Sequence, residues 1–288
     1  MRKFVLAITY GVVLTVFFAY CMLDTFVITR TGATVDTHVG EINQEAIISE
    51  NYYRDEHIIV NLNQIRQYET EIYVADVIVS SPEYLRAAFA KNTYGQNITE
   101  YTSQMAQANG AIFAINGDYY GARENGYVIR NGELYRSSPA GRDTLVIGKD
   151  GSFSVVNDRD VSAEELLEGG AMHTISFGPC LVEGGELAVD TDAEIFAELL
   201  SNPRAAIGIV SEGHYLFVVS DGRLDDSAGL SLYQLAQVMK QMGAKTAYNL
   251  DGGGSATMYF NGRIVNRPAG RENIVEERSV SDIVYVGY

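Results

Sequence analysis

One uncharged apolar run dominates the sequence: it extends from Phe4 to Leu23 and reads FVLAITYGVVLTVFFAYCML. At a rise of ~1.5 Å per residue, a helix of ~20 residues crosses the ~30 Å hydrocarbon core of a bilayer. Arg2 and Lys3 precede the run, and basic residues favour the cytoplasmic side. We therefore expect a single-pass signal anchor in the cell membrane, inserted through residues 4–23. A cleaved signal peptide is the alternative, although its apolar core is usually shorter.

The remaining chain has the composition of a packed globular protein. Of the 288 residues, 47% are hydrophobic and 20% are charged. Residues 24 to 55 are polar and only weakly periodic, which is typical of a stem. We therefore divide the chain into an anchor (1–23), a stem (24–55) and an extracytoplasmic domain (56–288).

The charge balance limits the partners of this domain. The formal net charge is −16, from 21 Lys and Arg against 37 Asp and Glu. Such an acidic surface repels phosphate backbones, so nucleic acid is not expected as a partner. An anionic ligand would need a local cluster of Arg residues.

Turn signals between short apolar segments indicate a protein rich in hairpins. Asn131-Gly132 and Asn261-Gly262 each separate two strand-like segments. One amphipathic helix is predicted from Leu232 to Met242, with Ser231 as its cap, and a second from Pro82 to Ala90. The fold class is therefore α+β, with a mixed, mostly antiparallel sheet and packed helices.

Familiar catalytic motifs are missing from the sequence. It contains no Walker A loop, no GxGxxG, no HExxH and no GxSxG, and its four His residues are scattered without the spacing of metal ligands. The sequence therefore does not favour a zinc enzyme or a Ser-His hydrolase.

Polar side chains instead follow several apolar strands. A strand that ends in a carboxylate, an amide or a guanidinium places that group at the edge of a sheet, although a turn or a solvated ion pair explains each instance alone. The candidates in chain order are Asn116, Asp118, Arg204, Asp221, Arg223, Asn249, Asp251, Ser255 and Arg278.

Gly252, Gly253 and Gly254 form the most informative of these segments. Three consecutive glycines weaken any regular element, but they allow close approach of a ligand to the backbone. Successive backbone N–H groups can also bind an anion. Because apolar, strand-like segments flank this run, a binding role is favoured over a flexible linker.

In this order, the segments resemble those of the phosphodiester glycosidase family. The matching stretches are NGDYY (116–120), the hairpin from Tyr127 to Arg136, SFGPCLVEGG (176–185), NPRAAIG (202–208), VVSDGR (218–223), YNLDGGGSATM (248–258) and ERSVSDIVYV (277–286). The resemblance implies a hydrolase that cleaves the bond between a sugar C1 and a phosphodiester oxygen. It indicates a bacterial, membrane-anchored member that acts on an envelope or exopolysaccharide glycan.

The resemblance also suggests roles for the candidate residues. An oxocarbenium-like transition state needs a carboxylate, and the departing phosphate needs cations. Asp251 is the leading catalytic carboxylate, Asp221 its partner or substitute, and Asp118 a third candidate. The substrate-binding candidates are Asn116, Arg204, Arg223, Asn249, Gly252, Gly253, Gly254, Ser255 and Arg278.

Two other functions remain open at this point. One is a non-catalytic module for glycan binding or exopolysaccharide assembly that uses the same cleft. The other is a metal-dependent phosphodiesterase in which Asp118, Asp221 and Asp251 hold Mg²⁺ or Ca²⁺. No cofactor is predicted, and a bound divalent cation stays an alternative.

Overall fold

The computed structural model of the chain describes residues 2–35, 40, 43, 45–190, 201–270 and 274–288. Within these ranges the α-helices are α1 (Arg2–Phe26), α2 (Thr102–Ala108), α3 (Ala163–Glu168) and α4 (Leu232–Gln241). Short 3₁₀ turns cover Pro82–Tyr84, Ala90–Asn92, Tyr120–Ala122 and Gly253–Ser255.

The strands of the described residues follow one another with short connections. In chain order they are β1 (Arg30–Thr34), β2 (Ile47–Ser49), β3 (Tyr52–Arg54), β4 (Ile58–Gln67), β5 (Thr70–Val79), β6 (Leu85–Phe89), β7 (Thr93–Gln96), β8 (Phe113–Asn116), β9 (Val128–Arg130), β10 (Glu133–Arg136), β11 (Asp143–Gly148), β12 (Phe153–Asn157), β13 (Ala171–Ile175), β14 (Cys180–Glu183), β15 (Glu186–Leu187), β16 (Arg204–Ser211), β17 (His214–Ser220), β18 (Thr246–Asn249), β19 (Met258–Phe260), β20 (Arg263–Ile264) and β21 (Asp282–Val286).

Two large sheets organise the domain. The nine-stranded sheet has the order β15-β14-β18-β16-β17-β5-β4-β3-β2, and the five-stranded sheet has the order β20-β19-β8-β21-β6. A three-stranded sheet β12-β11-β13 and the pairs β9–β10 and β1–β7 complete it. Neighbouring strands run antiparallel, so the predicted α+β class with mostly antiparallel pairing is confirmed.

The principal core lies between the two large sheets. Phe113 of the five-stranded sheet and Phe217 of the nine-stranded sheet are fully buried there, with ring centroids 4.8 Å apart. Each outer face packs against a helix: Met239 of α4 joins a second cluster on the nine-stranded sheet, and Met105 of α2 a third on the five-stranded sheet. The central strands are apolar on both faces because both faces are covered.

Local sequence signals are confirmed where short-range chemistry decides the structure. Asn131 and Gly132 take positive φ angles of 53° and 78° between β9 and β10, and Asn261 and Gly262 do the same between β19 and β20. Positive φ at both central residues matches the right-handed twist of the flanking strands. The side chain of Ser231 caps α4, as predicted, by accepting a hydrogen bond from the Gln234 backbone N–H.

The predicted helix from Pro82 to Ala90 is wrong. Only Pro82–Tyr84 forms a 3₁₀ turn, and Leu85–Phe89 is strand β6, which pairs along its whole length with β21. Because Ala87 and Ala88 face opposite sides of a sheet that is buried on both, an alanine-rich segment is stable here as a strand.

Helix α1 extends somewhat beyond the predicted anchor. Its segment Ile8–Phe26 has the length and hydropathy for crossing a membrane, and none of it is buried against the domain. Beyond it, β1 pairs with β7, and β2 and β3 join the nine-stranded sheet. The described parts of residues 24–55 thus contribute strands to the domain, and the division at residues 23 and 55 stays a prediction.

The inter-sheet contact should carry much of the stability. We expect Phe217→Ala to lower the free energy of unfolding by about 3–5 kcal/mol, because it leaves a cavity between the two sheets. The matched control is Ile78→Ala on the neighbouring strand β5, where the side chain is exposed and a loss below about 1 kcal/mol is expected. Since the chain contains no Trp, urea unfolding of the full chain in detergent is followed by circular dichroism. Equal losses in both variants would contradict this account of the core.

Candidate active site

The candidate site forms where a strand of each large sheet ends. Strand β8 ends at Asn116 and strand β18 at Asn249. The Asn116 Nδ2 donates to the backbone oxygen of Asp251 over 2.7 Å, and the Asp251 N–H donates to the oxygen of Gly117 over 3.3 Å. These bonds join the ends of the two sheets and bring Asp251 next to the segment that carries Asp118.

A cavity of about 230 Å³ opens at this junction. It combines two carboxylates, one guanidinium, several hydroxyls and two aromatic rings. Its lining residues are Phe26, Asn97, Thr99, Asp118, Tyr119, Gly121, Ala122, Asp251, Ser255, Arg278, Ser279, Val280 and Ser281. Of the residues predicted from sequence, the structure therefore brings Asp118, Asp251, Ser255 and Arg278 to one cavity.

Asp251 is the carboxylate best placed for chemistry. It is 8% exposed and reaches the cavity, where its Oδ2 accepts a hydrogen bond from Arg278 over 3.1 Å. The Arg278 Nε also donates to Ser255 Oγ over 2.9 Å. Burial raises the pKa of Asp251, while the hydroxyl of Ser255 and the charge of Arg278 act in the opposite direction.

Asp118 is held more rigidly. Its two oxygens accept backbone N–H bonds from Tyr120 (2.8 Å) and Ser176 (3.0 Å). Behind it lies Arg130, whose Nη2 atom is 3.5 Å from Asp118 Oδ2 and 2.6 Å from Asp282 Oδ2. All three charged side chains are almost fully buried, so Arg130 is the shared counter-ion of Asp118, which lines the cavity, and of Asp282 behind it.

Arg123 contributes a further positive charge that sequence reasoning missed. Its guanidinium lies over the Phe177 ring, 5.0 Å from the centroid, and near Tyr119 at 5.6 Å. Burial lowers the pKa of Arg123, and the charges of Asp118 and Asp251 counteract this. Arg123 therefore acts electrostatically on both cavity carboxylates, and its one sequence signal is its position five residues after Asp118.

Arg130 and Asp282 were also missed. Their only signal is a charge at the boundary of an apolar strand: Arg130 ends β9 and Asp282 begins β21. Neither position indicates a buried ion pair until the two strands are placed side by side.

Asp221 lies at the same edge of the nine-stranded sheet but faces a different partner. Its Oδ2 forms a 2.7 Å ion pair with Arg267, and its Oδ1 accepts the Arg267 backbone N–H over 2.8 Å. Arg267 also pairs with Asp226. Asp221 thus stabilises the segment around Arg267, and the structure does not bring Asp221 to the cavity with Asp251.

The other predicted binding residues, which do not line the cavity, form hydrogen bonds within the protein. Arg204 donates through Nε to Leu230 O, Arg223 binds Asn202 Oδ1, and Asn249 donates to Gly178 O. Asn116 is fully buried, and its amide oxygen accepts the Thr257 N–H. These contacts position backbone segments.

The three glycines allow close packing of the loop that follows β18. A Cβ on Gly252 would lie 2.7 Å from the Pro203 oxygen, and Gly253 has a φ of 60° with the Arg223 guanidinium close by. The Gly253 N–H already donates to Pro203 O, and the Ser255 N–H to Gly252 O. These two N–H groups are therefore engaged within the loop instead of facing an anion.

The donor set in the cavity is small for a metal centre. Among the residues that the structure describes, no three His, Cys, Asp or Glu side chains cluster as metal ligands. The predicted trio of Asp118, Asp221 and Asp251 is divided, since Asp221 is paired with Arg267.

Comparison with known proteins agrees with this architecture. The family model of phosphodiester glycosidases matches residues 109–287, and the chain belongs to this family. A prophage-derived uncharacterized protein of Bacillus subtilis, YomE, is 27% identical over an alignment of 286 positions that covers 91% of this chain and 42% of YomE. Mouse N-acetylglucosamine-1-phosphodiester alpha-N-acetylglucosaminidase is 38% identical over 66 residues, covering 23% of this chain and 13% of that protein. The chain thus spans less than half the length of these relatives.

Solved structures share the fold. The catalytic domain of zebrafish N-acetylglucosamine-1-phosphodiester alpha-N-acetylglucosaminidase superposes with a TM-score of 0.63 and 22% identity over 89% of both chains. A hypothetical protein from Synechocystis has a TM-score of 0.62 and 17% identity, covering 80% of this chain and 62% of that one.

The buried ion cluster yields a stability prediction. Arg130→Met should lower the free energy of unfolding by about 3–5 kcal/mol, since it leaves buried carboxylates without their counter-ion. Burial already raises the pKa of Asp282 and Arg130 counteracts this, so loss of Arg130 raises it further. When the pKa of a carboxyl is higher in the folded state than in the unfolded state, the free energy of unfolding falls as pH rises, because the unfolded state ionises first. The loss of stability in Arg130→Met should therefore be larger at pH 8 than at pH 5.

The matched control is Arg66→Met, which removes an exposed ion pair with Glu71. Arg66→Met should lower the free energy of unfolding much less than Arg130→Met does, and the loss should be nearly the same at pH 5 and pH 8. Chemical denaturation of both variants at pH 5 and pH 8 makes the comparison. A loss for Arg130→Met that is small or independent of pH would contradict the proposed counter-ion role.

Proposed function

We propose that this chain is an extracytoplasmic, membrane-anchored hydrolase that cleaves the bond between a sugar C1 and a phosphodiester oxygen. The observation that carries the proposal is a single cavity in which an accessible carboxylate, Asp251, lies beside the Arg278 guanidinium. Membership of the phosphodiester glycosidase family supports this reaction class. The relatives named for N-acetylglucosamine 1-phosphodiesters make that sugar the first to test.

The proposed chemistry separates the roles of the charged groups. Arg278, with Arg123 nearby, binds the phosphate and stabilises the charge that it gains as the C1–O bond breaks. The departing oxygen keeps the bonding electron pair, and a water oxygen finally takes its place at C1. A phosphate monoester is a good leaving group, so the reaction needs little help from a general acid.

Asp251 and Asp118 would act on the sugar side. Asp251 either attacks C1 or takes the proton of the attacking water, and these alternatives predict retention and inversion of the anomeric centre. Asp118, fixed by two backbone N–H groups, would hold a carboxyl group beside the oxocarbenium-like transition state. Tyr119, which is 41% exposed, offers a ring face for stacking the sugar.

The natural substrate class follows from the position of the domain. A single-pass anchor at residues 4–23 would hold the domain outside the cytoplasm, where phosphodiester-linked glycans of the envelope or exopolysaccharide are its available targets. The −16 charge makes nucleic acid an unsuitable ligand and leaves Arg278 in the cavity to select the phosphate.

Replacing the carboxylate tests the assignment directly. We expect Asp251→Asn to lower kcat on N-acetylglucosamine 1-phosphodiesters by about a thousandfold or more, since it removes the nucleophile or base. The control is Asp150→Asn, which alters an exposed carboxylate in the β11–β12 turn and should leave kcat unchanged. Wild-type activity in Asp251→Asn with its fold intact would refute the role.

The same assay separates the other candidate functions. In ¹⁸O-water, C–O cleavage places the label in the released sugar, whereas P–O cleavage places it in the phosphate. Label in the phosphate together with loss of activity in EDTA would favour a metal-dependent phosphodiesterase. Binding of the ester without turnover, measured by calorimetry, would favour a glycan-binding module.

The Arg278–Asp251 contact predicts a shift in the pH–rate profile. Arg278 lowers the pKa of Asp251, so Arg278→Gln should raise that pKa and move the acid limb of kcat to higher pH. The limb moves upward because Asp251 must be ionised to act as nucleophile or base. KM for the phosphodiester should rise as well, because one phosphate ligand is lost.

Arg66→Gln is the matched control, since its ion pair lies on the exposed surface of β4. Its profile should overlay that of the unmodified chain. An acid limb that stays in place in Arg278→Gln would argue against ionised Asp251 as the group that titrates.

A further inference from the structure

The end of the apolar helix is attached to the domain beside the cavity. The N–H groups of Val27 and Ile28 donate to Leu23 O, and strand β1 begins two residues later at Arg30. The Asn97 Nδ2 donates to the backbone oxygen of Ile28 over 2.9 Å. The connection from helix to domain is therefore short and hydrogen-bonded, without a long spacer.

A second contact fixes the same junction. Arg30 forms a 2.5 Å ion pair with Asp24 of the last helical turn and donates to Gln96 Oε1 over 3.1 Å. Gln96 is the last residue of β7, and Asn97 follows it. The helix end thus has both a strand pairing and side-chain contacts that hold it against the domain.

Phe26, the last residue of this helix, lines the cavity that contains Asp251 and Arg278. The 19 residues from Ile8 to Phe26, of which only Asp24 is charged, measure about 28 Å, close to the ~30 Å hydrocarbon thickness of a bilayer. With the anchor of residues 4–23 in the hydrocarbon, Phe26 lies three residues beyond its outer boundary. The cavity then opens at the depth of the lipid headgroups.

We propose that the phosphodiester hydrolysed here joins the C1 of a sugar to a membrane-embedded lipid alcohol. This inference rests on the proposed hydrolase function and specifies its substrate class. The phosphate of such a lipid lies at headgroup depth, which is the depth of Arg278 when the helix spans the bilayer. Water adds to C1, the C1–O bond breaks, and the products are a free sugar and a lipid monophosphate that stays in the membrane.

The surface around the mouth suits this substrate. Phe26, Val27 and Ile28 expose apolar side chains on the helix side of the cavity, where the first methylenes of a lipid would lie. Elsewhere the chain is strongly acidic, so it would be repelled from an anionic membrane without an anchor.

The experiment uses the full chain reconstituted in phosphatidylcholine vesicles. The substrates are paired methyl and phytyl esters of several hexose and N-acetylhexosamine 1-phosphates, so that a soluble and a membrane-embedded form of each sugar are compared. We expect the phytyl ester of the preferred sugar to be hydrolysed with at least a tenfold higher kcat/KM than its methyl ester.

A spacer variant tests the geometry. Inserting twelve Gly and Ser residues between Ile28 and Thr29 separates helix from domain by roughly 19 Å on average. Hydrolysis of the phytyl ester should fall at least fivefold, while hydrolysis of the methyl ester stays unchanged. The control carries the same insertion between Gly184 and Gly185, an open hairpin turn, and should behave as the unmodified chain with both esters.

The outcomes separate this inference from the function on which it rests. Hydrolysis of methyl esters with no preference for phytyl esters, or a phytyl preference that the spacer leaves intact, overturns the lipid assignment and leaves the hydrolase standing. Failure to hydrolyse any ester, methyl or phytyl, overturns the proposed function and the inference together.

Discussion

The site depends on one buried amide. Asn116 ends a strand of the five-stranded sheet, and its side chain binds the backbone of Asp251 beyond the nine-stranded sheet and the backbone of Thr257. A buried amide that loses such partners costs about 1–3 kcal/mol per unsatisfied group, so the bonds specify one relative position of the two sheet ends. Without this joint, the carboxylates of the two sheets would have no common cavity.

Burial then gives the two carboxylates different characters. Asp118 accepts two backbone N–H bonds and lies against Arg130, so its side chain has a fixed position. Asp251 instead contacts two side chains, the Ser255 hydroxyl and Arg278, and the Arg278 side chain is half exposed at the cavity rim. In the proposed reaction, a substrate phosphate would compete with Asp251 for the Arg278 guanidinium.

Short-range chemistry explains which parts of the fold could be read from the sequence. The turns at Asn131-Gly132 and Asn261-Gly262 and helix α4 follow from residues within a few positions of one another. Strand β6 could not be predicted, because its stability comes from pairing with β21, almost two hundred residues later. Tertiary context overrides local propensity at such a segment.

The candidate site shows the same division. Asp221 and Asp251 look alike in sequence, since each follows an apolar strand, yet a distant residue, Arg267, pairs with the first. The buried partners Arg130 and Asp282 gave no local signal, because an ion pair between remote strands exists only after both sheets have formed. The sequence could predict that these charged residues lie at strand ends, but it could not predict which distant residues they pair with.

A crystal structure of the full chain with a sugar C-phosphonate, in which carbon replaces the scissile oxygen, tests the central claim most directly. Our account predicts that the phosphonate contacts the Arg278 guanidinium and that the sugar C1 lies within ~3–3.5 Å of an Asp251 oxygen, or of a water bound to it. A phosphonate bound at Arg267 and Asp221 would contradict this account. A sugar bound outside the cavity that Asp118 and Asp251 line would contradict it as well.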